Sequence, residues 1–240
     1  MDDELPKEAY RQTGLSQGEV FLRGEGDRWF ERNVSPRQTT PSLSTEIGFL
    51  IETLKPFSDS INSILEIGCA DGLKLRKLCE ALNATGCGID PSAKAIDLGQ
   101  QNRADNLISL SVGLAHNLPY DNSSFDLVHF GFCLYLVDRE NIKAALNEAH
   151  RVLKPGGFMV ITDFDPAISH ARPYHHYSGL FSYKTDYAAA LVSPGFYHLA
   201  YKYSYSHQQP FFDRNSDERV AVSILYKEIT NVGDTPINVR

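Results

Sequence analysis

Glu66-Ile67-Gly68-Cys69-Ala70-Asp71-Gly72 joins a short apolar run, Ser63 to Ile67, to the helix-like stretch Leu73-Lys74-Leu75-Arg76-Lys77-Leu78. An acid near the end of a buried strand, a turn with two glycines and a helix start together make a cradle for a ligand. Gly68 and Gly72 lack a Cβ, so the backbone can come close to a bound group. The helix start presents unpaired N–H groups and a positive dipole end to an electron-rich partner. Asp90 follows 24 residues after Glu66, about one strand–helix–strand unit later, at the end of Gly86-Cys87-Gly88-Ile89-Asp90. Its carboxylate can accept both hydroxyls of a ribose. A dinucleotide fingerprint wants glycine at the first, third and sixth turn positions. Those positions hold Gly68, Ala70 and Leu73, so a nicotinamide-dependent oxidoreductase is disfavoured.

A second set of reactive side chains lies between Asp163 and Tyr187. It comprises Asp163, Asp165, His170, Tyr174, His175, His176 and Tyr177, then Tyr183, Lys184, Asp186 and Tyr187. A histidine or aspartate here could take a proton from a hydroxyl acceptor. The alternative for any one of them is a place on a loop surface. Their spacing matches no standard metal motif, and no metal ligand is expected. Cys69, Cys79, Cys87 and Cys133 show no C-x-x-C spacing and sit among apolar residues, as reduced core thiols would.

The elements that must position these groups alternate. Pro41 to Phe57 reads as a helix with Ile47, Leu50, Ile51 and Leu54 on one face and Ser44 or Thr45 as its cap. The Ser63 strand is followed by a helix to about Asn83. A strand over Gly86–Asp90 leads into a helix capped by Ser92. Strands follow at Leu107–Val112 and Phe125–Phe130, then a helix at Asn141–Leu153, stopped by Lys154-Pro155-Gly156-Gly157. A fifth strand covers Phe158–Thr162. Two more, Tyr197–Tyr205 and Arg219–Lys227, should pair as an antiparallel hairpin at the sheet edge. Strands alternating with helices predict an α/β fold, a mostly parallel sheet wound on both faces. Ligands of such sheets sit beyond the carboxyl ends of the strands. Those ends carry the Gly68–Gly72 loop, Asp90-Pro91, Gly113-Leu114-Ala115-His116 and Phe130-Gly131.

The 240 residues suit one domain, 41–230, behind an N-terminal extension, 1–40, with a flexible tail at 231–240. Within the extension, Phe21 to Asn33 holds the only tryptophan, Trp29, among acids and arginines. It is either an amphipathic segment packed on the core or a lid, with Glu25, Asp27, Arg32 or Asn33 reaching the ligand. A net charge of −7 argues against a nucleic-acid partner. No apolar run is long enough to span a membrane, and Met1-Asp2-Asp3-Glu4 does not resemble a signal peptide, so a cytoplasmic location is expected.

LEIGCADG, GIDPS, LAHNLPYDNSSFDLV and HRVLKPGGFMVITD occur in the order seen in class I S-adenosylmethionine-dependent methyltransferases, which the chain resembles over about residues 45 to 230. Glu66, Gly68 and Gly72 match their acid-x-glycine-x-glycine-x-glycine motif, and Ala70 departs at the middle glycine. The resemblance implies a Rossmann-like seven-stranded sheet with an antiparallel last strand. It also implies S-adenosylmethionine as cofactor and S-adenosylhomocysteine as product. The implied cofactor contacts are Glu66, Gly68, Cys69, Ala70, Gly72, Asp90, Pro91, Leu114, Ala115, His116 and Phe130. Many members have aspartate where Leu114 stands, so the adenine contact must come from His116, Asn117, backbone or water. The acceptor-side candidates are His170, Tyr174, His175 and His176, after the fifth strand. Phe21-x-x-Gly-Glu with Arg32-Asn33, the Tyr174–Tyr187 stretch and Tyr205-x-His207 resemble the methylases associated with pseudaminic acid biosynthesis. That implies a small sugar-like acceptor, a nonulosonic acid or its precursor. A catalytically silent module that binds S-adenosylmethionine and regulates a partner is the alternative.

Overall fold

The computed structural model describes residues 14–39, 41–101, 106–193 and 195–229. Residues 1–13 of the N-terminal extension and the expected flexible tail at 231–240 lie outside the described residues. Strand β1 (Ser63–Ile67) is an interior strand, third in order, of a seven-stranded sheet. Its neighbours are β2 (Thr85–Asp90) and β4 (Phe125–Gly131), both parallel to it. β3 (Ile108–Val112) extends one side, and β5 (Leu153–Phe164) extends the other. β9 (Arg219–Lys227) then pairs antiparallel with β5, and β8 (Tyr197–Ser206) closes that edge against β9. The order is β3-β2-β1-β4-β5-β9-β8. The alternation of strands and helices predicts the mostly parallel part of this sheet; the tail hairpin and the family resemblance predict the antiparallel last strand, and both parts are found.

Ile64, Leu65 and Ile67 of β1 are all buried, because the sheet is covered on both faces. On one face Ile64, Leu127 and Val160 pack under α3 (Pro41–Leu54), α4 (Leu73–Leu82) and α5 (Ala93–Gln101). Leu50, Leu54, Leu75, Leu78 and Leu82 supply the inner stripe of α3 and α4. Each buried leucine contributes about 1.5–3 kcal/mol through apolar burial. On the other face Leu65, Val128 and Met159 pack under α6 (Ile142–Val152) and α7 (Tyr187–Val192).

Three local expectations change. α3 begins at Pro41, whose fixed φ suits a first helical position, so Ser44 and Thr45 lie inside the helix instead of capping it. The Lys154–Gly157 stretch does not form a separate loop; β5 starts at Leu153 and absorbs it through a register shift against β4. Gly156, at φ 81°, supplies a backbone conformation that other residues rarely adopt. The chain after β5 also holds a separate hairpin, β6 (His170–Pro173) with β7 (Phe181–Lys184).

The N-terminal segment is helical. Ser16 and Glu19 form a capping box on α1 (Gln17–Val20). A single π turn, Phe21–Glu25, leads through Gly24 (φ 133°) into α2 (Gly26–Thr39). Buried Gln17 fastens this segment: its amide donates to the carbonyls of Leu136 and Phe181 and accepts from the Phe181 N–H. Asp138 accepts from the Gln17 and Gly18 backbone N–H groups at 2.8 and 3.1 Å.

Candidate active site

The carboxyl ends of β1 to β5 converge on one cavity of about 600 Å³. Following the sheet order, its wall runs from Gly113–His116 after β3 and Ile89–Pro91 at β2 to Gly68 and Ala70 at β1. It continues through Gly131–Cys133 at β4, Thr162 and Phe164 at β5 and Val220 at β9 to Tyr205, His207 and Gln208 at the end of β8. Gly18, Phe21, Gly26, Trp29 and Asn33 close it from the N-terminal side.

At the β2 end, Asp90 braces the turn. Its Oδ2 accepts from the Ala70 N–H at 2.8 Å and its Oδ1 from the Ser92 N–H at 2.9 Å. Ser92 in turn caps α5 through the Ala95 N–H, as its position before the helix predicts. Asp27 of α2 accepts from the Ser92 hydroxyl at 2.7 Å and the Lys94 N–H at 3.0 Å, docking α2 on the start of α5. Ala70 stands at φ 49°, where the related motif has glycine, so the turn keeps its left-handed backbone despite the extra methyl.

Of the residues expected at the cofactor, Gly68, Ala70, Asp90, Pro91, Leu114, Ala115 and His116 line the cavity. Glu66, Cys69, Gly72 and Phe130 stand behind the wall. Gly72 has φ 75°, and a Cβ there would meet Ile108 Cδ1 at 2.9 Å, so its missing side chain makes room for core, not for ligand. Cys69 is fully buried; its Sγ would be 2.7 Å from a Cβ on Gly88. Phe130 is fully buried in the α6 face. Glu66 sits under Gly131, where a Cβ would lie 2.6 Å from Glu66 Oε1. All four cysteines are thiols: Cys69 and Cys79 buried, Cys87 and Cys133 half-buried. Burial pushes the Cys133 thiol well up and suppresses its thiolate.

None of the four acceptor-side candidates lines the cavity. They lie on and beside the β6–β7 hairpin, His170 and Tyr174 half-buried and His175 and His176 exposed. His170 faces Asp217 at 3.2 Å. The Tyr174 hydroxyl joins Glu25 and Arg32 at 3.1 and 2.9 Å. Glu25, fully buried, also accepts from Arg32 at 2.6 Å, so this trio ties the π turn to the hairpin. Of the four lid residues expected at the ligand, Asn33 lines the cavity; Glu25, Asp27 and Arg32 hold the segment in place.

Sequence reasoning missed two groups. Aromatic side chains Trp29, Phe132, Tyr135, Phe164, Tyr205 and His207 line the β4–β5–β8 end. His207 stacks on Phe132 with centroids 5.4 Å apart and planes 16° from parallel. Phe132 holds φ 70°, a strained conformation for a bulky residue, which presents its ring to His207. Burial, with a smaller contribution from Lys184, holds the His207 pKa below its ordinary value. The signal for His207 was present in the Tyr205-x-His207 stretch before the last strand. The second group is a buried polar cluster. Glu46 of α3 accepts from Lys74 Nζ at 2.6 Å and from the Thr162 hydroxyl at 2.8 Å, all on the same oxygen, Oε1. His129 Nε2 lies 3.0 Å from Thr162 Oγ1. Since that hydroxyl donates to Glu46, the network assigns the proton to His129 Nε2. Burial, then Lys74, lowers the His129 pKa far enough to keep the ring neutral. Glu46, Lys74 and Thr162 all line the cavity. Nothing in the local pattern around Glu46 distinguishes it from an exposed helix position.

The sheet order and the cavity at its carboxyl edge define the class I methyltransferase fold. The 1,6-didemethyltoxoflavin-N1-methyltransferase of Burkholderia thailandensis, solved with 1,6-didemethyltoxoflavin and S-adenosylhomocysteine, has this fold with a TM-score of 0.66 and 13% identity, covering 88% of each chain. Residues 64–157 match a family described as a methyltransferase domain. The demethylmenaquinone methyltransferase of Staphylococcus epidermidis is 40% identical over 99 residues, 40% of each chain. The 2-phytyl-1,4-naphtoquinone methyltransferase of Nostoc punctiforme is 28% identical over 159 residues, 64% of this chain and 65% of that protein. The chain thus spans less than half the length of the staphylococcal relative it matches.

Proposed function

We propose that this chain is an S-adenosylmethionine-dependent methyltransferase acting on a small acceptor held against the aromatic end of the cavity. The observation that carries the reading is the continuity of that cavity. A carboxylate flanked by Ile89, Pro91, Leu114 and Ala115 at one end suits a nucleoside, and one uninterrupted space leads from it to the aromatic end. S-adenosylmethionine supplies an activated methyl group on a sulfonium, transferred by in-line displacement. Asp90 would hold the ribose hydroxyls, and the Gly113–His116 backbone would border the base. Gly68 and Ala70 would let the chain pass close to β1. The N-terminal helices would shut out water, and the aromatic rings would orient the acceptor. His207, neutral near neutral pH because of its surroundings, is placed to take the acceptor's proton.

The acceptor must be read from the cavity, since the family match ends at residue 157, before β6, β8 and β9. Aromatic faces with few charged groups favour a flat, conjugated acceptor over the sugar that the resemblance of the chain ends implies. The relatives named for quinone substrates agree with that preference. The experiment is turnover of S-adenosylmethionine with naphthoquinols, planar heterocycles and nonulosonic acids, followed by mass spectrometry for an added methyl group. Acceptor-dependent S-adenosylhomocysteine formation is expected, with His207→Asn lowering kcat and removing the acid limb of the pH profile. Cofactor binding without turnover on any class would favour a silent regulatory module.

A further inference from the structure

The Glu46–Lys74 ion pair has no part in the chemistry above, yet it lines the cavity. It is almost wholly buried, with 6% and 4% of the two side chains exposed. A buried pair of this kind is costly to desolvate and persists where further polar partners satisfy it. Among the described residues the pair is only half satisfied. Lys74 Nζ, with three donors, bonds Glu46 and lies 3.8 Å from Glu66. Glu46 Oε1 takes both Lys74 and Thr162, while Oε2 carries no hydrogen bond among the described residues.

The position along the cavity is informative. Lys74 sits in the first turn of α4, directly after the Gly68–Gly72 loop. Glu66, next to Lys74, lies under Gly131 at the end of β4. Moving along the sheet from Gly113 at β3 past Asp90 at β2, the pair is reached after β1, beyond the ribose carboxylate. A ligand with its base at β3 and its ribose at β2 therefore brings its third part to this pair.

We propose that Glu46 and Lys74 form the subsite for the α-amino-acid end of S-adenosylmethionine, Glu46 Oε2 accepting from the ammonium and Lys74 donating to the carboxylate. The inference rests on the cofactor reading and extends it to residues outside the glycine loop. A zwitterion complements an ion pair without adding net charge to a buried site. Thr162 fixes the Glu46 carboxylate through Oε1, and His129, bonded to Thr162, fixes that hydroxyl.

The test compares two ligands that differ in the amino-acid end, S-adenosylhomocysteine and 5′-methylthioadenosine, by calorimetric titration of the full chain. If each charged bond is worth what such bonds typically are, the wild type should prefer S-adenosylhomocysteine by on the order of 100-fold or more. Glu46→Gln and Lys74→Met, and the charge-balanced double variant, should cut that ratio to about tenfold or less while leaving 5′-methylthioadenosine affinity unchanged. Unchanged 5′-methylthioadenosine binding also reports that each variant is folded. Variants that keep the wild-type ratio, or a wild type that binds both ligands equally, would overturn the assignment. A wild type that binds neither would sink the cofactor reading and this subsite with it.

Discussion

Replacing Asp90 separates two roles that its geometry combines. The carboxylate braces two loops through the Ala70 and Ser92 N–H groups, at 2.8 and 2.9 Å. Hydrogen bonds to a charged group contribute about 1.5–3 kcal/mol each, and the half-exposed site places these near the lower end. Asp90→Ala should therefore cost about 3 kcal/mol of stability. For a chain of this length that lowers the melting temperature by roughly 6–12 °C. Ribose hydroxyls donating to the same carboxylate would be lost too, a further ~3–6 kcal/mol, or on the order of 10²–10⁴-fold in Kd for S-adenosylhomocysteine. Asp90→Asn should fall between, since its amide accepts one N–H and opposes the other. Thermal melts of the free protein report the brace, and calorimetric titration well below the melting temperature reports the ligand. A lower melting temperature with Kd unchanged within about threefold would show that Asp90 only braces the turn, and the ribose assignment would fail.

Trp29 is the only tryptophan and lines the cavity, donating from Nε1 to the Tyr135 hydroxyl at 3.3 Å. Saturating S-adenosylhomocysteine should change its fluorescence, with Trp29→Phe silencing the signal but not calorimetric binding; an unchanged spectrum on saturation would place the ligand away from α2. Asp163 and His129 should oppose each other in acid stability. Burial raises the Asp163 carboxyl to about 7, so the native state holds an extra proton and loses stability as pH rises through that window. His129, kept neutral, does the reverse: its contribution is lost as pH falls below its unfolded value. Asp163→Asn removes the first effect, so its stability relative to wild type should rise with pH between about 4 and 7, by about 1.4 kcal/mol per unit. A pH-independent difference in chemical denaturation would show that Asp163 is not titrating there.

The strand ends, and the place of Asp90 at the cavity wall, were legible because a parallel sheet writes its buried strands as apolar runs and its end loops directly after them. Gly72 is ambiguous in sequence for a physical reason: a glycine at positive φ serves equally where a ligand or the core comes close, and only the structure shows that a side chain there would meet Ile108. Position after β5 does not reveal that a hairpin forms there, which leaves His170 facing Asp217 and His175 and His176 exposed, none of them lining the cavity. Glu46 and Lys74 meet from two different helices, a contact no local pattern encodes. His207 enters the cavity from the far edge of the sheet, through a stacking on Phe132 that depends on backbone strain.

The most direct measurement is the binding of S-adenosylhomocysteine and of a nicotinamide dinucleotide to the unmodified chain, by calorimetry and thermal melting. S-adenosylhomocysteine at 100 times its Kd should stabilise the native state by about 2.7 kcal/mol. That corresponds to roughly 5–10 °C in melting temperature, with one site per chain and a much weaker response to the dinucleotide. A shift with the dinucleotide and none with S-adenosylhomocysteine would contradict the account.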